Sequence, residues 1–191
     1  MKTGLFFGSF NPVHVGHMII ADHIVQCTDL KQVWMVVSPH NPLKVKQSLA
    51  RDHDRLHLVE LAIGDNPNLK ASNVEFSLPV PSYTVDTLAH LHEKYPGRKF
   101  CLIMGADNLE TIDKWKNYHY LLENYEIYVY NRPGYTVSGY EDYPNIYFVN
   151  APLLDISATF IRERLRTGKS VQYLVPDKVY EYLQHSSMYR D

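Results

Sequence analysis

The sequence predicts a doubly wound α/β protein built on a parallel sheet. Two observations carry that prediction. Short apolar runs alternate with amphipathic stretches along the whole chain, the signature of βαβ units. The runs are also apolar at consecutive positions, as strands covered by helices on both faces are.

The elements follow in order. Residues 3–8 (TGLFFG) read as a buried strand ending in Gly, and 17–27 (HMIIADHIVQC) as a helix. Residues 33–38 (VWMVVS) are apolar and rich in valine, a second buried strand. Residues 54–64 place Leu56, Val59 and Ile63 at helical spacing, and Gly64 suits the C-cap. Residues 70–76 make a weaker strand, 84–94 a helix, and 100–105 (FCLIMG) a strongly buried strand. A helix is expected around Trp115–Asn124, strands at 125–131 and 145–150, and helices at 157–167 and 176–185, with Pro176 in a first turn. The stretch 135–144 (YTVSGYEDYP) reads as a loop between strands, so a single domain over 1–191 is expected.

Composition narrows the function. The formal net charge is -2 over 191 residues and there is no basic block, which argues against nucleic acid as the main partner. No apolar run approaches the roughly 20 residues of a membrane span, and the start is too short for a signal peptide. The cytoplasm is the expected location, with no membrane partner. Cys27 and Cys101 lack paired spacing and sit in apolar runs, so two buried free thiols are expected. The fifteen tyrosines gather late in the chain and read as core edge and interface.

The informative segment is Gly8–His17, GSFNPVHVGH. It lies between the first strand and first helix, at the carboxyl edge where open α/β sheets bind ligands. Gly8 turns the backbone, Asn11-Pro12 stops the strand and delays the helix, and Gly16 removes a side chain where a ligand would approach. His17 falls in the first helical turn, where unpaired N–H groups and the helix dipole favour an anion. His14 and His17 therefore read as phosphate donors. Zinc is the first rival, but no third ligand has fitting spacing. A structural loop is the second.

GSFNPVHVGH resembles the G-x-F-[DN]-P-x-H-x-G-H signature of the nucleotidyltransferase superfamily. Further along come SYTVDTL (82–88), MGADNL (104–109), Trp115, NRPG (131–134) and ISATFIR (156–162). In that order they resemble the bacterial nicotinate mononucleotide adenylyltransferases, from Thr3 to about Leu183. The resemblance implies a Rossmann-like nucleotidyltransferase fold of the HIGH type. It also implies transfer of the adenylyl group of ATP to nicotinate mononucleotide, giving nicotinate adenine dinucleotide and pyrophosphate. Such a transfer needs positioning and charge neutralisation rather than a covalent intermediate. Mg²⁺ is expected with ATP, held mainly by the nucleotide, so no protein residue is named as a metal ligand. The partners implied are ATP and nicotinate mononucleotide, with a homo-oligomer left open. The same fold and chemistry with nicotinamide mononucleotide or phosphopantetheine as acceptor is the nearest alternative, and a nucleotide-binding regulator without turnover the next.

The resemblance assigns His14, His17, Lys44 and Arg162 to catalysis. Gly8, Ser9, Phe10, His14, His17, Gly105, Asp107, Arg132, Ile156, Ser157 and Arg162 fall to ATP. Asn11, Lys44, Thr84 and Trp115 fall to the acceptor. The residues have plainer readings alongside: Ser157 as an N-cap with Arg162 on the surface, Asp107 as an N-cap, Trp115 as a partly buried helix anchor. In the family, Trp115 would stack on the pyridine ring and Thr84 would lie where the nicotinate carboxylate is held. Asp86 reads as support for the loop or helix start. Ala158 stands where the family usually has a second Ser, and Leu43 where a His often precedes the Lys. Asp52–Arg55 reads as a solvated helix start, with Arg55 a minor candidate for local structure.

Overall fold

The computed structural model describes residues 1–39, 49–132, 134–135, 138–140 and 142–190. Lys44 and Leu43 lie outside the described residues. Six strands, β1 (Lys2–Gly8), β2 (Gln32–Val37), β3 (Leu69–Ser72), β4 (Lys99–Gly105), β5 (Ile127–Tyr130) and β6 (Ile146–Val149), form one sheet. Their order is β3-β2-β1-β4-β5-β6 and every pair is parallel. The chain winds outward from β1 to β3, then returns to lay β4 against the other side of β1. The carboxyl ends of β1 and β4 thus diverge at the switch point where such sheets bind ligands.

Helices cover both faces. Along β1 the side chains alternate: Leu5 enters one core and Phe6 the other, and Trp34 and Met35 do the same on β2. On the Phe6 face pack α1 (Val15–Cys27), α2 (Asp52–Ile63), α6 (Ala158–Arg166) and α7 (Asp177–Gln184), through Ile24, Leu58, Ile161 and Val179. On the Leu5 face pack α3 (Thr84–Lys94), α4 (Ala106–Leu109) and α5 (Tyr118–Asn124), through Leu88, Leu109 and Leu121. Full burial of each such aliphatic side chain contributes about 1.5–3 kcal/mol.

Several boundaries differ from the sequence expectation. The strand expected over 70–76 ends at Ser72 and passes into a 3₁₀ turn, Val74–Ser77. There Glu75 is buried and accepts a hydrogen bond from the Thr87 hydroxyl at 2.8 Å. Trp115 is not helical: it follows a 3₁₀ turn, Ile112–Lys114, with extended backbone, and α5 begins only after Asn117 adopts φ 53°. Pro176 caps α7 rather than entering its first turn. Cys101 is buried as expected, but Cys27 is exposed, because it ends α1 on the side away from the sheet. Gly64 closes α2 at φ 58°, a conformation in which glycine meets no steric penalty.

Candidate nucleotide site

The loop from Gly8 to His14 is shaped by its own side chains. Phe10 is buried at φ 44°, and its ring packs edge-on to Phe6 and His17. A Cβ at Gly8 would lie 2.8 Å from that ring, so Gly8 makes room for Phe10. His14 caps α1 in extended backbone, which puts His17 at the third helical position, as the sequence indicates. The two imidazoles stack at 3.7 Å. The His14 backbone N–H donates to His17 Nδ1 at 3.2 Å. In the neutral ring that bond leaves the proton on Nε2, making this atom a donor. His14 Nδ1 is buried without a hydrogen-bond partner. Burial, reinforced by the charge of Arg132, lowers its pKa from 6.5 to about 4. Gly16 clears the His14 ring, whose atoms lie 3.1 Å from where its Cβ would be, rather than a path for a ligand.

Of the residues assigned to phosphate by resemblance, Arg162 reaches this loop from 151 positions away. Arg162 of α6 donates to the Asn11 carbonyl at 2.8 Å and to Thr159 Oγ1 at 3.2 Å. Ser157 caps α6, its hydroxyl oxygen accepting from the Phe160 N–H at 3.2 Å. The capping reading and the donor reading coexist, since the accepting hydroxyl keeps its own proton to donate. Ile156, just ahead, is half-buried against the core of the Phe6 face.

Asp107 and Arg132 form the adjoining wall. A Cβ on Gly105 would fall 2.3 Å from Asp107 Oδ1, so Gly105 gives the carboxylate its place at the end of β4. Asp107 Oδ2 faces Arg132 at 3.4 Å, while Oδ1 is buried with no partner. Thr84 and Trp115 form a second group. Thr84 opens α3 and Trp115 is half-buried against the Leu5-face core, its indole N–H buried without a partner. Lys116 ties the two segments: its ammonium pairs with Asp86 at 2.8 Å and lies 4.9 Å from the Tyr83 ring.

Among the described residues, five buried side-chain polar atoms lack a hydrogen-bond partner, on His14, Glu75, Ser82, Asp107 and Trp115. All five residues follow the carboxyl end of β1, β3 or β4. Leaving such an atom unpaired costs about 1–3 kcal/mol, so their concentration on one edge marks the place where a polar ligand would be held. A groove of about 550 Å³ between α3 and α5, lined among others by His92, Tyr120 and Asn145, contains neither histidine of the pair nor Asp107 or Arg162.

Glu75 and Tyr189 escape sequence reasoning, and Arg55, read as a minor candidate for local structure, organises the loop far more than expected. Arg55, expected at a solvated helix start, is fully buried. It donates to the carbonyls of Ser9, Ser38 (3.0 Å) and Ala50 (3.1 Å), and pairs with Asp52 at 2.6 Å. A charge that far inside persists only with such a full set of partners. Asn11, assigned above to the acceptor, is buried, and its side-chain oxygen accepts from the Ala50 N–H at 3.1 Å and the Tyr189 hydroxyl at 2.8 Å. Only the odd placement of Arg55 between Leu56 and two aspartates hints at burial; nothing in the sequence signals Tyr189 or Glu75.

The family model described as cytidylyltransferase-like matches residues 5–164. A Flavobacterium psychrophilum protein named "probable nicotinate-nucleotide adenylyltransferase" is 52% identical over 192 residues, covering 100% of both chains. A protein of the same name from Bacteroides fragilis is 44% identical, over 94% of this chain and 90% of its own. The fold is similar to that of Plasmodium falciparum nicotinic acid mononucleotide adenylyltransferase complexed with NaAD, with a TM-score of 0.83, 19% identity and 98% and 97% of the two chains covered. The chain therefore belongs to the cytidylyltransferase-like family and, within it, to the nicotinate-nucleotide adenylyltransferases.

Proposed function

We propose that this protein transfers the adenylyl group of ATP to nicotinate mononucleotide, forming nicotinate adenine dinucleotide and releasing pyrophosphate. The observation that carries the proposal is the meeting of His14, His17 and Arg162 around one loop at the switch point between β1 and β4. The acceptor phosphate is already an anion at neutral pH, so the reaction needs alignment and charge neutralisation more than a strong base. In this reading His17 Nε2 donates to the ATP phosphates. His14, neutral in the free protein, gains a proton or a hydrogen bond as phosphate charge arrives beside it. Arg162, Ser157 and Lys44 meet the phosphate oxygens. Asp107 Oδ1 accepts from a ribose hydroxyl, with Arg132 holding the other oxygen. Trp115 offers its ring to the pyridine, and the start of α3 at Thr84 offers N–H groups to the acceptor carboxylate.

The phosphate-facing residues are nitrogen and hydroxyl donors, a set that fits phosphate oxygens and not a bare cation. Mg²⁺ would therefore arrive on ATP, with its shell filled largely by phosphates and water, and would supply charge neutralisation there. In this reading the residues named act within one domain spanning 1–191. No helix of the described residues is long and apolar enough to cross a membrane. The net charge of -2 does not favour nucleic acid as the main partner, and cytoplasmic action fits two free cysteines.

The test is pyrophosphate release with ATP and Mg²⁺, comparing nicotinate mononucleotide, nicotinamide mononucleotide and phosphopantetheine at matched concentrations. Preference for the acid is expected. Release with the amide or with phosphopantetheine alone would overturn the acceptor. ATP binding without release for any of them would make the protein a nucleotide-binding regulator or a transferase for some other acceptor.

A further inference from the structure

Tyr189 lies beyond α7, 178 residues from Asn11 in sequence, yet its hydroxyl donates to Asn11 Oδ1 at 2.8 Å. Its backbone is in the left-handed region at φ 66°. A bulky aromatic residue there is strained and persists only where its surroundings hold it. They do so here. The Met188 N–H donates to Ser186 Oγ at 3.1 Å, and the Arg190 guanidinium caps the end of α7 on the carbonyls of Leu183 and Gln184. Met188 and the Tyr189 ring also pack against the core of the Phe6 face. Burial pushes the phenol well above its ordinary pKa, so it remains a donor at any working pH.

Asn11 is the hub that this hydroxyl reaches. The carboxamide oxygen of Asn11 also accepts from Ala50, and its carbonyl accepts from Arg162. Ala50 in turn is held by Arg55, which grips Ser9. Asn11 stands three residues before His14, so its orientation fixes both where the histidines begin and where Arg162 ends. We propose that Tyr189 is a positioning residue of the phosphate loop: through Asn11 it holds the turn that aims His14, His17 and Arg162 at the triphosphate. The inference rests on the adenylyl-transfer reading for its effect on turnover, but not for its effect on nucleotide binding.

The test is Tyr189→Phe, which keeps the ring and its packing and removes one hydrogen bond. The expected result is a fall of about tenfold in kcat and a several-fold loss of affinity for a non-hydrolysable ATP analogue, with the acceptor KM within about twofold and the melting midpoint moved by only a few degrees. In an Asn11→Ala background the same change should cost less than about twofold more, because the path through Asn11 is already cut. A purely structural role would lower the melting midpoint and leave kcat and analogue affinity at 25 °C unchanged, and that result would overturn the proposal. So would an additive loss in the Asn11→Ala background, or an equal loss in acceptor KM. If the wild-type protein gives no turnover with nicotinate mononucleotide, the functional reading falls by itself, and the analogue titration alone decides on Tyr189. If Asn11→Ala fails to fold, kcat and analogue affinity of the single variant decide.

Discussion

His14 couples pH to both stability and binding. Its pKa in the folded chain, about 4, lies below the ordinary 6.5. Between those values the unfolded chain holds the proton and the folded chain does not, so stability rises with pH across that window. The contribution is complete above pH 6.5 and is lost as pH falls toward 4, on the order of 3 kcal/mol in total. Thermal melts from pH 4 to 7 should therefore show a drop on acidification that flattens in His14→Asn. Phosphate beside the ring favours the imidazolium, so ATP should bind with proton uptake near pH 5–6, visible in calorimetry as a heat that depends on the buffer's ionisation enthalpy. His17, whose Nε2 carries the proton, bears the transfer more directly: His17→Ala should leave the fold intact and reduce turnover by about 10² or more. Trp115→Ala should weaken the acceptor more than ATP, and equal losses in the two KM values would remove Trp115 from the acceptor side. At this scale the motifs drew attention to His14, His17, Asp107 and Arg162, which the structure places at the ends of β1 and β4 or against the loop between β1 and α1. It was silent on Tyr189, because a lone tyrosine near the end of the chain has no neighbours in sequence that reveal what it will touch.

At the scale of elements, the site depends on how strands end. β4 stops at Gly105, and a methyl group there would collide with Asp107 Oδ1 at 2.3 Å and press on Tyr130 at 3.2 Å. Gly105→Ala should raise the KM for ATP by about tenfold with a smaller effect on kcat, a split that steady-state kinetics would resolve. The opening of α2 is set by Arg55 rather than by solvent. Arg55→Ala would leave the carbonyls of Ser9, Ser38 and Ala50 without this donor and should destabilise the fold by about 3 kcal/mol or more, read from the denaturant midpoint. Strands and most helices were legible because apolar runs and caps are local signals, as at Gly64 and Ser157. The turn at Val74–Ser77 and the break at Trp115 were not. The first follows from a tertiary partner, Glu75 with Thr87, and the second from the left-handed turn at Asn117, neither of which pattern reading sees.

Over the whole molecule the two edges of the sheet are treated oppositely. At the amino edge, charges are matched: Lys2 pairs with Asp29 and Glu126, Lys99 with Glu126, and the Tyr128 hydroxyl donates to Asp29. At the carboxyl edge lie the five buried polar atoms without partners. A ligand bridging His14 on one side of the switch point and Asp107 on the other joins the two halves of the sheet. A saturating ATP analogue should thus raise the melting midpoint by about 5–10 °C at a hundredfold excess over its Kd, and His17→Ala should shrink that rise at the same concentration. The parallel topology behind this arrangement was legible from the alternation of apolar and amphipathic runs. The strand order was not, because nothing local marks where the chain reverses its winding.

The unpartnered atoms also set how the sequence would respond to selection. Replacing the indole of Trp115 by a well-packed apolar group removes a desolvated polar atom and should make the resting protein harder to melt. Variants chosen for heat resistance alone should therefore accumulate changes first at this edge of the sheet. A library screened for survival at high temperature would drift toward sturdy, inactive proteins unless growth on the enzyme's product were demanded at the same time.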